Sequence, residues 1–133
     1  MSRIADIVFD CARPAPLARF WASALDGYEI APYDEEELAR LRSIGIDDPE
    51  DDPGVLVLPP NEGEPRLFFQ QVPEPKKVKN RVHLDLRPSD RAAEVARLLA
   101  LGATKVRDVE HPTDLAWTAM QDPEGNEFCV LEP

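Results

Sequence analysis

The spacing of apolar residues changes several times along the chain, and each change marks an expected element. From Arg3 to Cys11 apolar and polar positions alternate, with Ile7, Phe9 and Cys11 on one face and Asp6, Val8 and Asp10 on the other, the pattern of a strand covered on one side. Pro14 suits the first turn of a helix. Leu17, Phe20, Trp21, Ala24 and Leu25 then recur at the spacing of one helical stripe, which Gly27 ends. Tyr28 to Ala31 reads as a short strand. The glutamates after Asp34 and the arginines Arg40 and Arg42 match the dipole of a helix from about Asp34 to Ser43. Asp47 to Pro53 joins acidic side chains to two prolines and reads as a solvated loop. Two more strands, Val55 to Leu58 and Arg66 to Val72, flank a turn region from Pro59 to Gly63.

A second series begins at Asn80. Val82, Leu84 and Leu86 alternate with His83, Asp85 and Arg87. Ser89 or Asp90 caps a helix whose expected stripe is Ala92, Val95, Leu98 and Leu99, and Gly102 closes it. Strands are predicted near residues 103–109, 115–121 and 126–132, the last two joined by a type I turn at Asp122-Pro123-Glu124-Gly125.

The order strand, helix, strand, strand, strand therefore occurs twice. The first module covers about residues 1–75 with an acidic helical insertion at about 34–53, the second about 79–133, within a single domain spanning 1–133. Their first strands superpose at an offset of 77, which lays His83 on Asp6. The pattern predicts an α+β fold of two tandem βαβββ modules. A module that cannot bury its sheet alone gains by pairing with its twin, leaving helices on the outer face and a concave surface opposite them, where function is expected.

Length and composition bound this picture. With 133 residues, 43% of them hydrophobic and 31% charged, the chain suits one globular domain. Its formal charge of -11 disfavours nucleic acid and anionic membranes as partners. No apolar run approaches the ~20 residues of a membrane span. The opening residues lack the order of a secretory signal, so a cytoplasmic location is expected, with Cys11 and Cys129 as thiols rather than a disulfide.

Candidate chemistry gathers on the polar faces of the starting strands. His83 shares a face with Asp85 and Arg87, which suits a general base or ligand and equally a histidine held structurally by a carboxylate. Asp6, Asp10 and Asp85 would crowd negative charge on the concave face, either as a functional cluster or neutralised by Arg87 and its neighbours. Trp21 belongs to the helix stripe. Alternation does not assign the face of Trp117, which suits a pocket wall for a planar ligand. The cations Lys76, Lys77, Lys79 and Arg81 form either a clamp for an anion or a solvated linker, and His111 reads as a loop residue.

In Asp10-Cys11-Ala12-Arg13-Pro14 leading to Phe20-Trp21, in Lys79 through Leu86, in Leu101-Gly102-Ala103 and in Asp122 through Phe128, the chain resembles the vicinal oxygen chelate superfamily, the glyoxalase, bleomycin-resistance and extradiol dioxygenase relatives. The likeness covers nearly everything but the insertion. It implies a U-shaped mixed sheet around a concave cavity, often holding a divalent metal through one side chain from each of four strands. Carried onto this chain, those positions are Asp6, Gln70, His83 and Cys129, the last standing where relatives carry a glutamate. Leu67 and Phe69 are expected to meet the first helix, which turns Phe68, Gln70 and Val72 toward the cavity. The implied ligand pocket is then Asp10, Phe68, Asp85, Arg87 and Trp117. The resemblance implies a protein that binds a small organic molecule, with metal-assisted lyase, isomerase or dioxygenase chemistry in which His83 is ligand or general base. The alternative is a non-catalytic sequestering protein of the bleomycin-resistance type. Relatives often pair, so the resemblance allows a homodimer, although two modules in one chain can complete the fold alone.

Overall fold

The computed structural model describes residues 1–110 and 116–133. His111 and the first residue of the strand expected at 115–121 lie outside the described residues. The chain divides into two compact units, Met1–Pro75 and Lys76–Pro133.

In the first unit the opening alternation forms β1 (Asp6–Cys11), followed by α1 (Pro14–Ala24), β2 (Glu29–Ile30), α2 (Glu35–Ser43), a 3-10 turn at Pro49–Asp51, β3 (Gly54–Leu58) and β4 (Arg66–Gln71). The sheet order is β1-β4-β3-β2, with β1 parallel to β4 and the other pairs antiparallel. The predicted faces hold. Leu17, Phe20 and Trp21 of α1 are buried together with Val55, Val57, Leu67 and Phe69 of the sheet. The Phe9 ring stacks on Phe69 at 4.8 Å and lies 5.3 Å from Trp21, so three aromatic rings anchor helix to sheet. Asp34 caps α2 by accepting from the Glu37 amide at 2.9 Å.

The expectation of a solvated loop at 47–53 needs correction. Asp52 is only 3% exposed. Its carboxylate accepts from the Tyr33 hydroxyl at 2.8 Å and the Gly54 amide at 2.9 Å, which replace water and make burial of a charged group tolerable. Acidic composition concealed this, because the partners lie on both sides of the segment.

The second unit holds β5 (Leu84–Leu86), α3 (Arg91–Leu101), β6 (Thr104–Val109), β7 (Trp117–Gln121) and β8 (Glu127–Leu131). Its order, β5-β8-β7-β6, repeats that of the first sheet strand for strand, again with the first strand parallel to the last. The protein is thus an α+β fold of two repeated modules, each with a four-stranded mixed sheet. Asp90 caps α3 through the Ala93 amide, and Gly102 ends it in the left-handed region at φ 115°. The expected turn forms, with the Gly125 amide donating to the Asp122 carbonyl at 2.9 Å.

Two local expectations differ here. β5 starts at Leu84, and Val82 is 80% exposed, so the strand is shorter than its alternation suggested. α3 turns toward the sheet the face of Arg91, Glu94, Val95 and Leu98, while Ala92 and Leu99 are exposed. Arg91 can occupy that face because its guanidinium reaches Glu132, at 2.8 Å, just past β8. No helix among the described residues is long and apolar enough to cross a membrane.

Candidate functional site

The register of the second sheet lines up four residues straight across it. Asp85 of β5 stands opposite Cys129 of β8, Cys129 opposite Ala119 of β7, and Ala119 opposite Arg107 of β6. Strand pleating puts alternate residues on the other face: Thr118, Met120, Phe128 and Val130 are buried on the side of α3, which packs against β6, β7 and β8. The row Asp85, Cys129, Ala119, Arg107 floors a cavity of about 560 Å³ lined entirely by residues of this unit. Small side chains at its centre leave the space. Trp117 and Leu131, paired across β7 and β8, form an apolar wall, and Gln121 and Glu127, paired at the opposite end of the strands, form a polar one.

His83 lies two residues before Asp85 on the same face, with its Nε2 3.2 Å from Asp85 Oδ1. Burial first, and then the Asp85 charge, push the Cys129 thiol up, while Lys79 and Arg107 act in the opposite direction. Glu127 is held from two sides, by Lys76 Nζ at 3.2 Å and by the Asn80 amide at 2.9 Å; despite the opposing effect of burial, these hydrogen bonds keep its carboxyl below the usual range.

Of the residues expected from sequence, the second unit brings together His83, Asp85, Cys129 and Trp117 around this cavity. Arg87 instead donates to the Glu132 carbonyl at 2.7 Å. In the first unit Arg66 holds Asp6 at 2.7 and 3.1 Å, lowering its carboxyl pKa mainly by hydrogen bonding, and the Gln70 amide nitrogen donates to Asp10 at 2.7 Å. Phe68 is half-buried on that same face, and its ring tip would stand 2.9 Å from a β-carbon added at Gly54. Register gives the repeat a twist: Val8 pairs with Phe68 as Asp85 pairs with Cys129, so the first-unit counterpart of Cys129 is Phe68, and Gln70 lies one pleat further along.

The sequence alone does not single out Arg107, Gln121, Glu127 or Leu131. Once Trp117 faces the cavity, period-two alternation adds Gln121, but Arg107 follows only from a register that shifts between Lys105 and Arg107.

For a metal, His83, Asp85 and Cys129 each offer one atom, all within 4.8 Å of one another. Nitrogen, oxygen and sulfur together fit zinc with an open coordination position, whereas magnesium and calcium call for oxygen ligands. Binding would displace the His83–Asp85 contact and take the proton of a thiol whose pKa is already raised. Asp6, by contrast, is already engaged by Arg66.

The model of a family described as glyoxalase-like domain matches residues 6–131. A glyoxalase/bleomycin resistance protein/dioxygenase family enzyme from Burkholderia phytofirmans PsJN is similar at TM-score 0.66 and 15% identity, covering 98% of each chain. A member of the same superfamily from Sphaerobacter thermophilus DSM 20745 is similar at TM-score 0.63 and 18% identity, over 100% of this chain and 98% of that one. An antibiotic-binding protein from Streptomyces sp. CB03234 is similar at TM-score 0.62 and 17% identity, over 100% and 97%. At these identities the likeness is one of fold. No curated protein matches the chain.

Proposed function

Since the chain belongs to the glyoxalase-like domain family of the vicinal oxygen chelate superfamily, we propose that it binds a small organic molecule in the cavity of its second unit. The observation that carries this reading is a space of about 560 Å³ with an apolar wall at Trp117 and Leu131, a small floor at Ala119 and Cys129, and polar groups at its rim. That is the size and make-up of small-molecule sites, in which apolar walls supply affinity and a few polar groups set orientation. The antibiotic-binding description of the Streptomyces neighbour agrees with it.

The test is titration with Nile red, a neutral planar dye that brightens in apolar surroundings. The expected result is saturable brightening that weakens at least tenfold in Ala119→Leu, which fills the floor, and in Trp117→Ala, which removes the wall. Saturable binding unchanged by both substitutions would place the dye elsewhere and end the proposal, as would no binding at all.

The spacing of His83, Asp85 and Cys129 favours a second reading, in which the same cavity works with bound zinc. Zinc would supply Lewis-acid polarisation of a ligand oxygen. His83 and Asp85 would hold the ion through nitrogen and oxygen, and Cys129 through sulfur. Elemental analysis of protein purified without added metal, with thermal melts in zinc and in chelator, distinguishes the two. Stoichiometric zinc that raises Tm and is lost in Cys129→Ala supports the second reading; no metal and no shift supports binding alone.

A further inference from the structure

The charges around the cavity are not balanced evenly. Of its carboxylates, Glu127 is paired with Lys76 and bonded to the Asn80 amide, and Asp85 has the His83 imidazole at 3.2 Å. Its two remaining cations, Lys79 and Arg107, have no carboxylate within ion-pair distance among the described residues. Yet both line the cavity, and both are close enough to act on the Cys129 sulfur. Other exposed cations, Arg42 and Arg81 among them, also have no carboxylate within ion-pair distance among the described residues; what sets Lys79 and Arg107 apart is that both line one cavity beside an apolar wall.

Their positions are set by the fold. Arg107 ends the row that begins at Asp85, three strand spacings away, roughly 14 Å. The Asn80 amide, bonded to Glu127, ties Lys79 to the start of β8. The small floor lies along the row from Asp85 to Arg107; the Trp117 and Leu131 wall stands two residues beyond that row, on the side away from Glu127 and Lys79.

We infer that the ligand of this cavity is an organic anion, a planar apolar body carrying a carboxylate or similar group that Lys79 and Arg107 receive. The inference rests on the binding reading above and names its ligand class. The aromatic or aliphatic body lies along Trp117 and Leu131, while the guanidinium of Arg107 offers a fork for two carboxylate oxygens and Lys79 a second positive charge.

Calorimetric titration with two probes of one shape, biphenyl-4-carboxylate and biphenyl-4-carboxamide, tests this. The carboxylate is expected to bind about tenfold more tightly, the size of one charge-assisted hydrogen bond. That preference should shrink toward one in Lys79→Met/Arg107→Met and in 0.5 M sodium chloride, through the loss of carboxylate affinity. Both side chains are exposed, so the variant should melt with the parent; the single substitutions are measured beside it. Equal binding of the two probes to the parent overturns the inference but leaves the binding reading standing, as does a preference untouched by the substitutions. If neither probe nor Nile red binds, the binding reading itself falls.

Discussion

Asp85 and Cys129 face each other across the parallel pair of β5 and β8, and burial first, then the Asp85 carboxylate, raises the pKa of the half-buried thiol. Reactivity follows the thiolate, so Asp85→Asn should speed alkylation of Cys129 by iodoacetamide at pH 8, and Lys79→Met should slow it. The measurement is specific. Cys11 is buried at 3% exposure, with its thiol on the Gln70 carbonyl. An alkylation rate unchanged by either substitution would contradict the electrostatic coupling.

The buried Asp52 carboxylate should matter to stability in proportion to the donors it satisfies. Asp52→Ala strands the Tyr33 hydroxyl and the Gly54 amide and should cost about 2 kcal/mol in urea unfolding, and Tyr33→Phe about 1 kcal/mol. Burial first, then the Asp52 hydrogen bond, push the Tyr33 phenol above its ordinary range. The folded state therefore keeps a proton that the unfolded chain loses near pH 10, so this contribution is complete below about pH 10 and fades as pH rises toward the folded value. In Asp52→Ala, Tyr33 should titrate closer to an ordinary tyrosine by ultraviolet absorbance.

The turn before β8 depends on Asp122, which is 2% exposed and accepts from the Glu124 and Asn126 amides and from Asn126 Nδ2 at 2.9 to 3.2 Å. Asp122→Ala should lower stability by about 2 to 3 kcal/mol, and Asp122→Asn by less, since its amide oxygen still accepts. Equal costs would show that the shape of the side chain, rather than its acceptor oxygens, holds the turn.

Asp6 and Arg66 form a partly exposed pair whose effect is best read by titration. The Arg66 hydrogen bond lowers the Asp6 pKa. A depressed carboxylate adds stability above the ordinary aspartate range and loses it as pH falls through the folded value. Carbon-detected NMR should show the Asp6 titration midpoint moving up in Arg66→Met; an unchanged midpoint would contradict the assignment.

Local periodicity carried much of the fold. The strand alternation around Phe9, the stripe of Leu17, Phe20 and Trp21, the cap at Asp34 and the glycine stop at Gly102 are each decided within a few residues, and they are legible for that reason. The repeat is legible too, because each module restarts the same local order. Expectations failed where a distant charge intervened: Asp52 is buried because Tyr33 and Gly54 satisfy it, and Arg91 takes the sheet-facing side of α3 because Glu132 receives it.

The site divides in the same way. Sequence alone brought out His83, Asp85, Cys129 and Trp117, because two share one alternating run at the start of the second module and two stand at marked positions in later strands. Only tertiary structure put Ala119 and Arg107 in line with Asp85 and Cys129 and left Lys79 and Arg107 without a carboxylate partner among the described residues. Alternation tells which residues of a strand share a face, but the register between strands far apart in the chain decides which faces meet, and a slip of one residue would have turned Arg107 to the other side.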